Sequence, residues 1–253
     1  MGLRDLAYTL YERRLLASLD PAQAPHHVGV ILDGNRRWAK ASGTSASSGH
    51  RAGADKIARL LEWCDEAGVE LVTLWLLSTD NLARPDPELA PLLAIIEEVV
   101  TELAAGGRWR IHPVGALDLL PQHTAEMLKS AAAATRDVEG LMVNVAVGYG
   151  GRQEIADAVR SLLVEHADAG TPMEDLARDL AADDIQEHLY TKGQPDPDLV
   201  IRTSGEQRLS GFMLWQSAHS EYYFCEAFWP DFRRVDFLRA LRSYGQRHRR
   251  YGN

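Results

Sequence analysis

The sequence predicts a single α/β domain, in which a mostly parallel sheet is surrounded by helices. Short apolar, β-branched segments alternate along the chain with longer segments of helical periodicity, the pattern of strand–helix–strand units. The 253 residues are 45% hydrophobic and 25% charged, close to the globular average, so one sizeable core can form. No repeat or long linker interrupts the alternation, and residues 1–253 are therefore predicted to form one domain.

The N-terminal 25 residues are predicted to be an amphipathic helix, Leu3 to Leu19, and a linker broken by Pro21 and Pro25. We expect this helix to dock on its own domain, with contact to a membrane surface as the alternative. No apolar run approaches the length that crosses a bilayer, so no stable membrane insertion is expected. Cys64 and Cys225 are far apart and form no metal-like spacing, which favours a reducing, cytoplasmic location.

The elements follow in order from local composition. Continuous apolar runs bounded by Gly, Asn or polar residues predict strands at His27 to Leu32, Glu70 to Leu77, Arg108 to Val114, Leu141 to Val147 and Leu199 to Arg202. Periodicity near 3.6 predicts helices at Arg51 to Ala67, Pro87 to Leu103, Pro121 to Thr135, Gly151 to Ala169, within Met173 to Tyr190, and at Phe232 to Arg249. The Ser/Gly-rich stretch from Ala41 to Gly49 is predicted to be a loop.

The charges exclude one class of partner and single out one residue type. A formal net charge of −9 argues against a nucleic-acid coat, and no nucleic-acid partner is expected. Only four of the 27 cationic residues are lysines, and the other 23 are arginines. Compositional bias explains most of this excess. Arginines at particular positions could instead bind phosphates through their planar fork, in a locally positive pocket of an otherwise negative protein.

Polar and charged residues cluster after the predicted strands, where ligands of open parallel sheets bind. Asp33-Gly34-Asn35-Arg36-Arg37 follows the first strand and Ser78-Thr79-Asp80-Asn81 the second. Gly34 permits a tight turn, the two arginines could face an anion, and Asp33 offers a carboxylate oxygen suited to Mg²⁺. An ordinary turn with a surface arginine pair remains the alternative.

A second anion site is predicted after the last strand, where Arg202, Arg208 and Ser210 surround a Gly turn. Two guanidinium groups and a hydroxyl could hold a diphosphate, whereas the alternative is structural ion pairs with Glu206 and Glu221. Familiar phosphate-binding motifs are absent from the sequence, since it has no Gly-x-x-x-x-Gly-Lys-Ser/Thr run and no complete dinucleotide fingerprint.

Several blocks, taken together and in order, resemble the cis-prenyltransferases, the undecaprenyl diphosphate synthase family. They are HVGVILDGNRRWAK from His27 to Lys40, GHRAGA from Gly49 to Ala54, LSTDNLARP from Leu77 to Pro85, the Asn144 to Arg152 block with Tyr-Gly-Gly-Arg, DLVIRTSGEQRLS from Asp198 to Ser210, LWQSAHSE from Leu214 to Glu221, and the terminal Arg250-Tyr251-Gly252. The resemblance runs from about residue 26 to residue 253.

This resemblance implies a six-stranded parallel sheet with a hydrophobic tunnel, a homodimer, and an Mg²⁺-dependent enzyme that joins isopentenyl diphosphate to an allylic diphosphate with a new Z double bond. Matched residue by residue, Asp33 is implied to be catalytic and to hold Mg²⁺ with Glu221. Asn81 takes the position of the proton acceptor, although an amide is a poor base, so we expect it to orient a proton path.

The remaining implied roles concern the two substrates. Gly34, Arg36, Arg37, His50 and Arg84 would hold the allylic diphosphate, and Arg202, Arg208 and Ser210 would hold isopentenyl diphosphate. Asn35 and Ser78 would position the substrate that loses the proton. Trp38 and Leu82 would line the prenyl side of the pocket, with core packing as the alternative. The same blocks place Thr79, Asp80 and Leu209 among the substrate-binding positions.

Four positions depart from the long-chain pattern of this family. Ala46 stands where an Arg is frequent, Asp80 where Glu is usual, and Leu82 where Trp is common. Leu76 occupies a strand position that is often small, and with Leu77 it would add bulk to the tunnel wall and stop growth early. The sequence is thus predicted to make a short product such as Z,E-farnesyl diphosphate. For Leu76 the alternative is core packing, with another wall setting the length. For the function the alternatives are a C50–C55 synthase, a non-catalytic partner subunit, or an irregular prenyl synthase.

Overall fold

A computed structural model describes residues 3–251 of the chain, so Gly252 of the terminal motif lies outside the described residues. Its strands are β1 His27–Ile31, β2 Leu71–Ser78, β3 Arg110–Val114, β4 Met142–Tyr149, β5 Leu199–Arg202 and β6 Glu221–Phe224. Its α-helices are α1 Leu3–Ser18, α2 Asn35–Ala41, α3 Ala46–Glu66, α4 Thr79–Leu82, α5 Asp86–Ala105, α6 Gln122–Ala134, α7 Gly151–Asp168, α8 Met173–Asp179, α9 Ala182–Gln186 and α10 Arg234–Tyr251. Among the described residues, no helix is long and apolar enough to cross a membrane.

The six strands form one sheet in the order β3-β4-β2-β1-β5-β6, and every pairing is parallel. The predicted α/β architecture is therefore confirmed, including the six strands that the resemblance implied. β6 had no counterpart among the strands predicted from local composition. It is a four-residue edge strand, too short for a clear alternation of apolar and polar residues.

The core lies in two layers, one on each face of the sheet. The larger layer packs residues of α3, α5, α6 and α10 against apolar side chains of β1, β2 and β4. The smaller layer lies on the other face, where Phe212 and Met213 of the β5–β6 connection contact Ile31 and Val200. The connections that follow β1 and β5 thus cover opposite faces, which opens a crevice at the carboxyl ends of these two neighbouring strands.

Two irregularities stand opposite each other at the carboxyl ends of β2 and β4. Trp75 pairs with Ala146, Leu77 with Val147 and Ser78 with Tyr149, so Leu76 and Gly148 are each one residue in excess of the register. Gly148 has φ of 62°, a left-handed backbone that a glycine adopts without strain. Because of the extra residue in β2, Leu76 and Leu77 both face the larger core layer, while Trp75 faces the smaller one.

The N-terminal helix docks on its own domain. Leu15 of α1 is buried against Val235 and Leu238 of α10. In addition, Arg233, just before α10, and Arg239 of α10 each lie over a tyrosine ring of α1. This contact is the one expected in preference to a membrane surface.

One predicted boundary was wrong by five residues. α3 begins at Ala46, inside the stretch expected to be a loop, because Ser45 caps it. The Ser45 hydroxyl accepts a hydrogen bond from the backbone amide of Ser48 at 3.1 Å, which satisfies one of the free amides of the first turn.

Candidate active site

A cleft of about 580 Å³ opens in the crevice beyond the carboxyl ends of β1, β2 and β5. The sequence blocks that follow these strands meet there, as the strand-end argument predicted. The cleft is lined by Ile31, Leu32, Asp33, Gly34, Asn35, Arg36, Arg37, His50, Trp75, Leu76, Leu77, Ser78, Asp80, Asn81, Arg84, Leu92, Arg202, Glu206, Arg208 and Ser210.

Asp33 and Arg202 form the centre of the cleft. Nη2 of Arg202 donates to Oδ2 of Asp33 at 2.7 Å, and Nη2 of Arg37 lies 3.3 Å from the same oxygen. Partial burial opposes ionisation of this carboxyl, but the hydrogen bond and positive charge of Arg202 prevail, and the pKa of Asp33 is lowered. Asp33 is therefore an ionised carboxylate. Its side chain is 29% exposed and lies beside the buried guanidinium of Arg202.

Two serines in strained backbone conformations hold these arginines. Ser204 and Ser210 have φ of 81° and 53°, which non-glycine residues rarely adopt. Oγ of Ser204 accepts from Arg37 at 2.7 Å, and Oγ of Ser210 accepts from Arg202 at 2.8 Å. Strain of this kind persists where the surrounding structure fixes it, and here it orients the two guanidinium groups toward the cleft.

The turn after β1 is fixed by hydrogen bonds from the segments that follow β5 and β6. The carbonyl of Asp33 accepts hydrogen bonds from the Thr203 hydroxyl at 2.6 Å and the Trp229 amide at 3.0 Å. Gly34 has φ of 110°, and a Cβ there would lie 2.8 Å from the Phe228 ring, so only glycine fits. No side chain caps α2, which begins at Asn35, and its first amides remain available to an anion.

Two glutamates bridge pairs of arginines around the cleft. Oε1 of Glu88 lies 3.1 Å from Nη1 of Arg36 and 3.0 Å from Nη1 of Arg84. Glu206 in the same way contacts Arg37, at 3.0 Å, and Arg208.

These contacts reduce, without reversing, the positive charge expected of the pocket. The carboxylates of Asp33, Asp80 and Glu206 line the cleft, and Glu88 reaches two of its arginines. Four carboxylates thus stand against five arginines, and the ligand-free cleft is far closer to neutral than the sequence suggested.

Three buried polar atoms of the cleft have no hydrogen-bond partner: Nε2 of His50, Nε of Arg202 and Oδ1 of Asn35. Burial, together with the positive charges of Arg84 and Arg36, lowers the pKa of His50, whose imidazole is therefore neutral near pH 7. Unpartnered buried polar atoms are costly, so three of them around one cleft indicate that a polar ligand completes the site.

A chain of hydrogen bonds joins the end of β2 to the helix α5. The hydroxyl of Ser78 accepts from the Asn81 amide at 3.1 Å, and Nη2 of Arg84 donates to Oδ1 of Asn81 at 2.8 Å. The side-chain oxygen of Asn81 is thus occupied by a guanidinium, which makes this amide a still poorer proton acceptor and supports an orienting role.

A small apolar cavity of about 50 Å³ lies beside the cleft. It shares Leu32, Asn35, His50, Leu76 and Leu92 with the cleft and continues between Ile57, Ile96, Val99 and Trp229. Leu76, the extra residue of β2, forms part of the boundary between the two spaces. The cavity measures only about 50 Å³, so it has no room for a long chain as it stands.

Four predicted substrate-binding residues lie outside the cleft. The indole of Trp38 donates to Asp231 at 3.0 Å, and Leu82 packs against the larger core layer. Leu209 packs in the smaller layer, and Thr79 lines a neighbouring surface pocket of about 370 Å³. Core packing was the alternative for both Trp38 and Leu82, and the position of Leu82 favours it, whereas Trp38 lies at the surface.

Glu221 is not brought to Asp33 within one chain. It stands at the amino end of β6, paired in register with Leu199, whereas the cleft lies beyond the carboxyl end of β5 at Arg202. Its carboxylate accepts from Arg247 at 2.8 Å. The expectation that Asp33 and Glu221 face one metal ion therefore needs revision for the single chain, because the length of the sheet separates them. No group of three or more metal-ligating side chains occurs among residues 3–251.

Sequence reasoning missed several residues of the site. Trp75 and Leu92 line the cleft, Ser204 orients Arg37, and Glu88 bridges two arginines. Only Glu88 left a signal in the sequence, because it follows Arg84 by four residues, the spacing of ion pairs on a helix. The others come together through tertiary packing.

Fold and site together define a parallel α/β protein whose arginine-lined cleft suits a diphosphate and adjoins a small apolar cavity. The family described as "Putative undecaprenyl diphosphate synthase" matches residues 31–252, and the chain belongs to this family of prenyltransferases.

Similar proteins agree with this assignment. The chain is 67% identical over 254 residues to the (2Z,6E)-farnesyl diphosphate synthase of Thermobifida fusca, covering 100% of both chains. It is 54% identical over 254 residues to the (2Z,6E)-farnesyl diphosphate synthase of Mycobacterium tuberculosis, covering 99% of this chain and 97% of the other. The crystal structure of lavandulyl diphosphate synthase from Lavandula x intermedia, in complex with dimethylallyl diphosphate, is similar with a TM-score of 0.81 and 33% identity, covering 88% of this chain and 96% of the other.

Proposed function

We propose that this prenyltransferase condenses isopentenyl diphosphate with a short allylic diphosphate, geranyl diphosphate in the first place, to give a short Z-prenyl diphosphate such as Z,E-farnesyl diphosphate. The observation that carries the proposal is the cleft itself, in which five arginines and a half-buried imidazole, whose Nε2 is buried without a partner, adjoin a small apolar cavity. The (2Z,6E)-farnesyl diphosphate synthases that are 67% and 54% identical support the short product.

The chemistry requires separation of charge at the allylic carbon. The bond between the allylic carbon and its diphosphate oxygen lengthens and breaks, and the diphosphate leaves. The double bond of isopentenyl diphosphate attacks the allylic carbon, and loss of a proton then forms the new Z double bond. Guanidinium groups and helix-terminal amides stabilise the charge that grows on the leaving group. A single unit-charge contact at 4 Å contributes roughly 4 kcal/mol at an effective dielectric constant of 20.

The residues divide into two halves. Gly34, Arg36, His50 and Arg84 surround the proposed allylic half, while Arg202, Arg208 and Ser210 surround the isopentenyl half. Ser78 and Asn81 line the same cleft, where they would orient the carbon that loses its proton. Arg37 touches Asp33 and Glu206 and so joins the two halves.

Asp33 fits a Mg²⁺ site in the chemistry of its donor. It is an ionised, partly exposed carboxylate that lines the diphosphate cleft, and Mg²⁺ favours one or two carboxylates together with phosphate oxygens. When bound, the ion would neutralise charge on the departing diphosphate. We place Asp33 alone in this role within one chain, since Glu221 lies at the other end of the sheet.

The deciding experiment supplies labelled isopentenyl diphosphate with dimethylallyl, geranyl or farnesyl diphosphate and Mg²⁺, and resolves the products by length and geometry. We expect geranyl diphosphate to be the best primer and a C15 product with a Z double bond. Products of C50 or more would instead support the long-chain alternative, and a branched product would support the irregular one.

A control variant separates catalysis from a supporting role. Asp33→Asn keeps the size of the side chain but removes the charge that Arg202 contacts, and we expect turnover to fall by at least two orders of magnitude. Unchanged turnover would remove Asp33 from the mechanism.

We also propose that the protein is a homodimer. Light scattering after gel filtration tests this oligomeric state directly. We further propose a cytoplasmic location.

A further inference from the structure

Both anion-binding halves of the cleft are occupied by the protein's own carboxylates. One oxygen of Glu88 lies between guanidinium nitrogens of Arg36 and Arg84, at 3.1 and 3.0 Å. Glu206 spans Arg37, at 3.0 Å, and Arg208. An oxygen placed between two guanidinium groups is the arrangement that a phosphate oxygen takes with paired arginines.

In Arg84 and Arg37, one terminal nitrogen of the guanidinium group contacts a glutamate and the other donates to a residue that positions the arginine. Nη1 of Arg84 contacts Glu88, while its Nη2 holds Asn81 at 2.8 Å. Nη1 of Arg37 contacts Glu206, while its Nη2 holds the Ser204 hydroxyl at 2.7 Å. An incoming phosphate can therefore replace the glutamate at one nitrogen without disturbing the hydrogen bond that fixes the other.

The glutamates are also held weakly enough to exchange. The side chains of Glu88 and Glu206 are 33% and 29% exposed, and three of their four arginine partners are between 43% and 62% exposed, so solvent screens most of these ion pairs. Glu88 lies in the first turn of α5, where the helix dipole favours a negative charge, so the released carboxylate keeps a favourable position.

We propose that Glu88 and Glu206 are exchangeable counter-ions that hold the two arginine pairs in place until a diphosphate displaces them. This inference rests on the proposed function and assigns Glu88 to the allylic half and Glu206 to the isopentenyl half. A ligand must bring enough negative charge to replace the glutamate, so the pair of residues selects diphosphates over weaker anions such as inorganic phosphate.

The test compares Glu88→Gln and Glu206→Gln, which remove the charge and keep the shape. Glu88→Gln is expected to lower KM for geranyl diphosphate by about five- to tenfold, with KM for isopentenyl diphosphate changed less than about twofold. Glu206→Gln is expected to lower KM for isopentenyl diphosphate by about five- to tenfold and KM for geranyl diphosphate by a smaller factor, because Arg37, one of its two arginines, joins the two halves. The effect should appear in KM rather than in kcat, because the glutamates are absent from the arginines once substrate is bound.

The matched control is Glu98→Gln, which breaks the Glu98–Arg51 ion pair on the same helix α5 but outside the cleft. It is expected to leave both KM values unchanged. Glu88→Asp, which keeps the charge on a shorter side chain, is expected to give a smaller decrease than Glu88→Gln. Circular dichroism shows whether each variant is folded.

Calorimetry with inorganic phosphate gives a reading independent of turnover. Each Gln variant should bind phosphate about five- to tenfold more tightly than the unmodified chain. Weaker or unchanged binding in both variants, or a larger effect of both on the KM of the same substrate, would overturn the proposal. An unmodified chain without prenyl transfer would instead refute the proposed function, while the phosphate titration would still decide the role of the glutamates.

Discussion

Replacement of Leu76 by Ala is expected to lengthen the product. Leu76 is the extra residue in β2, and its side chain lies between the diphosphate cleft and the apolar cavity. The substitution removes three carbon atoms, whereas another isoprene unit adds five. The cavity of about 50 Å³ takes up the difference, so growth by one unit becomes possible and growth by several does not.

The size of the effect follows from the cost of overpacking. Forcing extra methylenes against a packed wall costs about 1–3 kcal/mol, which disfavours elongation by roughly 5- to 150-fold. Removing that cost should raise the fraction of C20 product by a factor in this range, measured by chromatography of dephosphorylated products from labelled isopentenyl diphosphate.

Leu74→Ala is the matched control for this substitution. Leu74 lies on the same strand and faces the same core layer, but it lines neither space. Leu74→Ala should destabilise the fold by about 2–5 kcal/mol and leave product length unchanged. Equal product distributions in both variants would refute the role of Leu76 as the wall.

Three further outcomes are expected. Arg202→Met should reduce kcat/KM by about ten- to a hundredfold, because a charge-assisted hydrogen bond to Asp33 contributes about 1.5–3 kcal/mol. Steady-state kinetics should show that Arg202→Lys loses less activity than Arg202→Met but does not reach that of the unmodified chain. Binding of geranyl diphosphate should raise the lowered pKa of His50 and be accompanied by proton uptake, visible as a buffer-dependent binding enthalpy that His50→Gln removes. Burial lowers the pKa of His27 from 6.5 to about 4, so the unfolded chain binds more protons than the folded chain between these pH values. The free energy of unfolding, measured with urea, should therefore fall by about 2 kcal/mol between pH 7.5 and pH 5, and by less in His27→Gln.

Local sequence carried enough information for the architecture and for the edge of the sheet where ligands bind. Alternating elements require a parallel sheet, and polar residues after its strands meet at one edge, as Asp33, Ser78 and Arg202 do. Order along the chain fixes these features, since the carboxyl ends of parallel strands must lie together.

The rest depends on contacts between distant segments. The ion pair between Arg37 and Glu206 joins residues 169 positions apart, and the hydrogen bond between Trp229 and Gly53 joins residues 176 apart. The irregular register of β2 is also invisible in its composition, because LWLLS reads as a regular buried strand. Glu221 shows the converse limit, since a family motif identifies the residue but not the end of the sheet at which it lies.

The opposed irregularities of β2 and β4 restrict how this enzyme can change its product. Each strand carries one residue beyond the shared register, and the two compensate so that Ser78 and Tyr149 remain paired. Loss of Leu76 from the chain, unlike its substitution, would remove the extra residue of β2 while Gly148 remained in β4, so Leu77 would move into the place of Leu76 and Ser78 would lose its pairing with Tyr149. The wall and the site are thus coupled through the strand, and product length can evolve here by exchange of side chains but not by insertion or deletion of single residues.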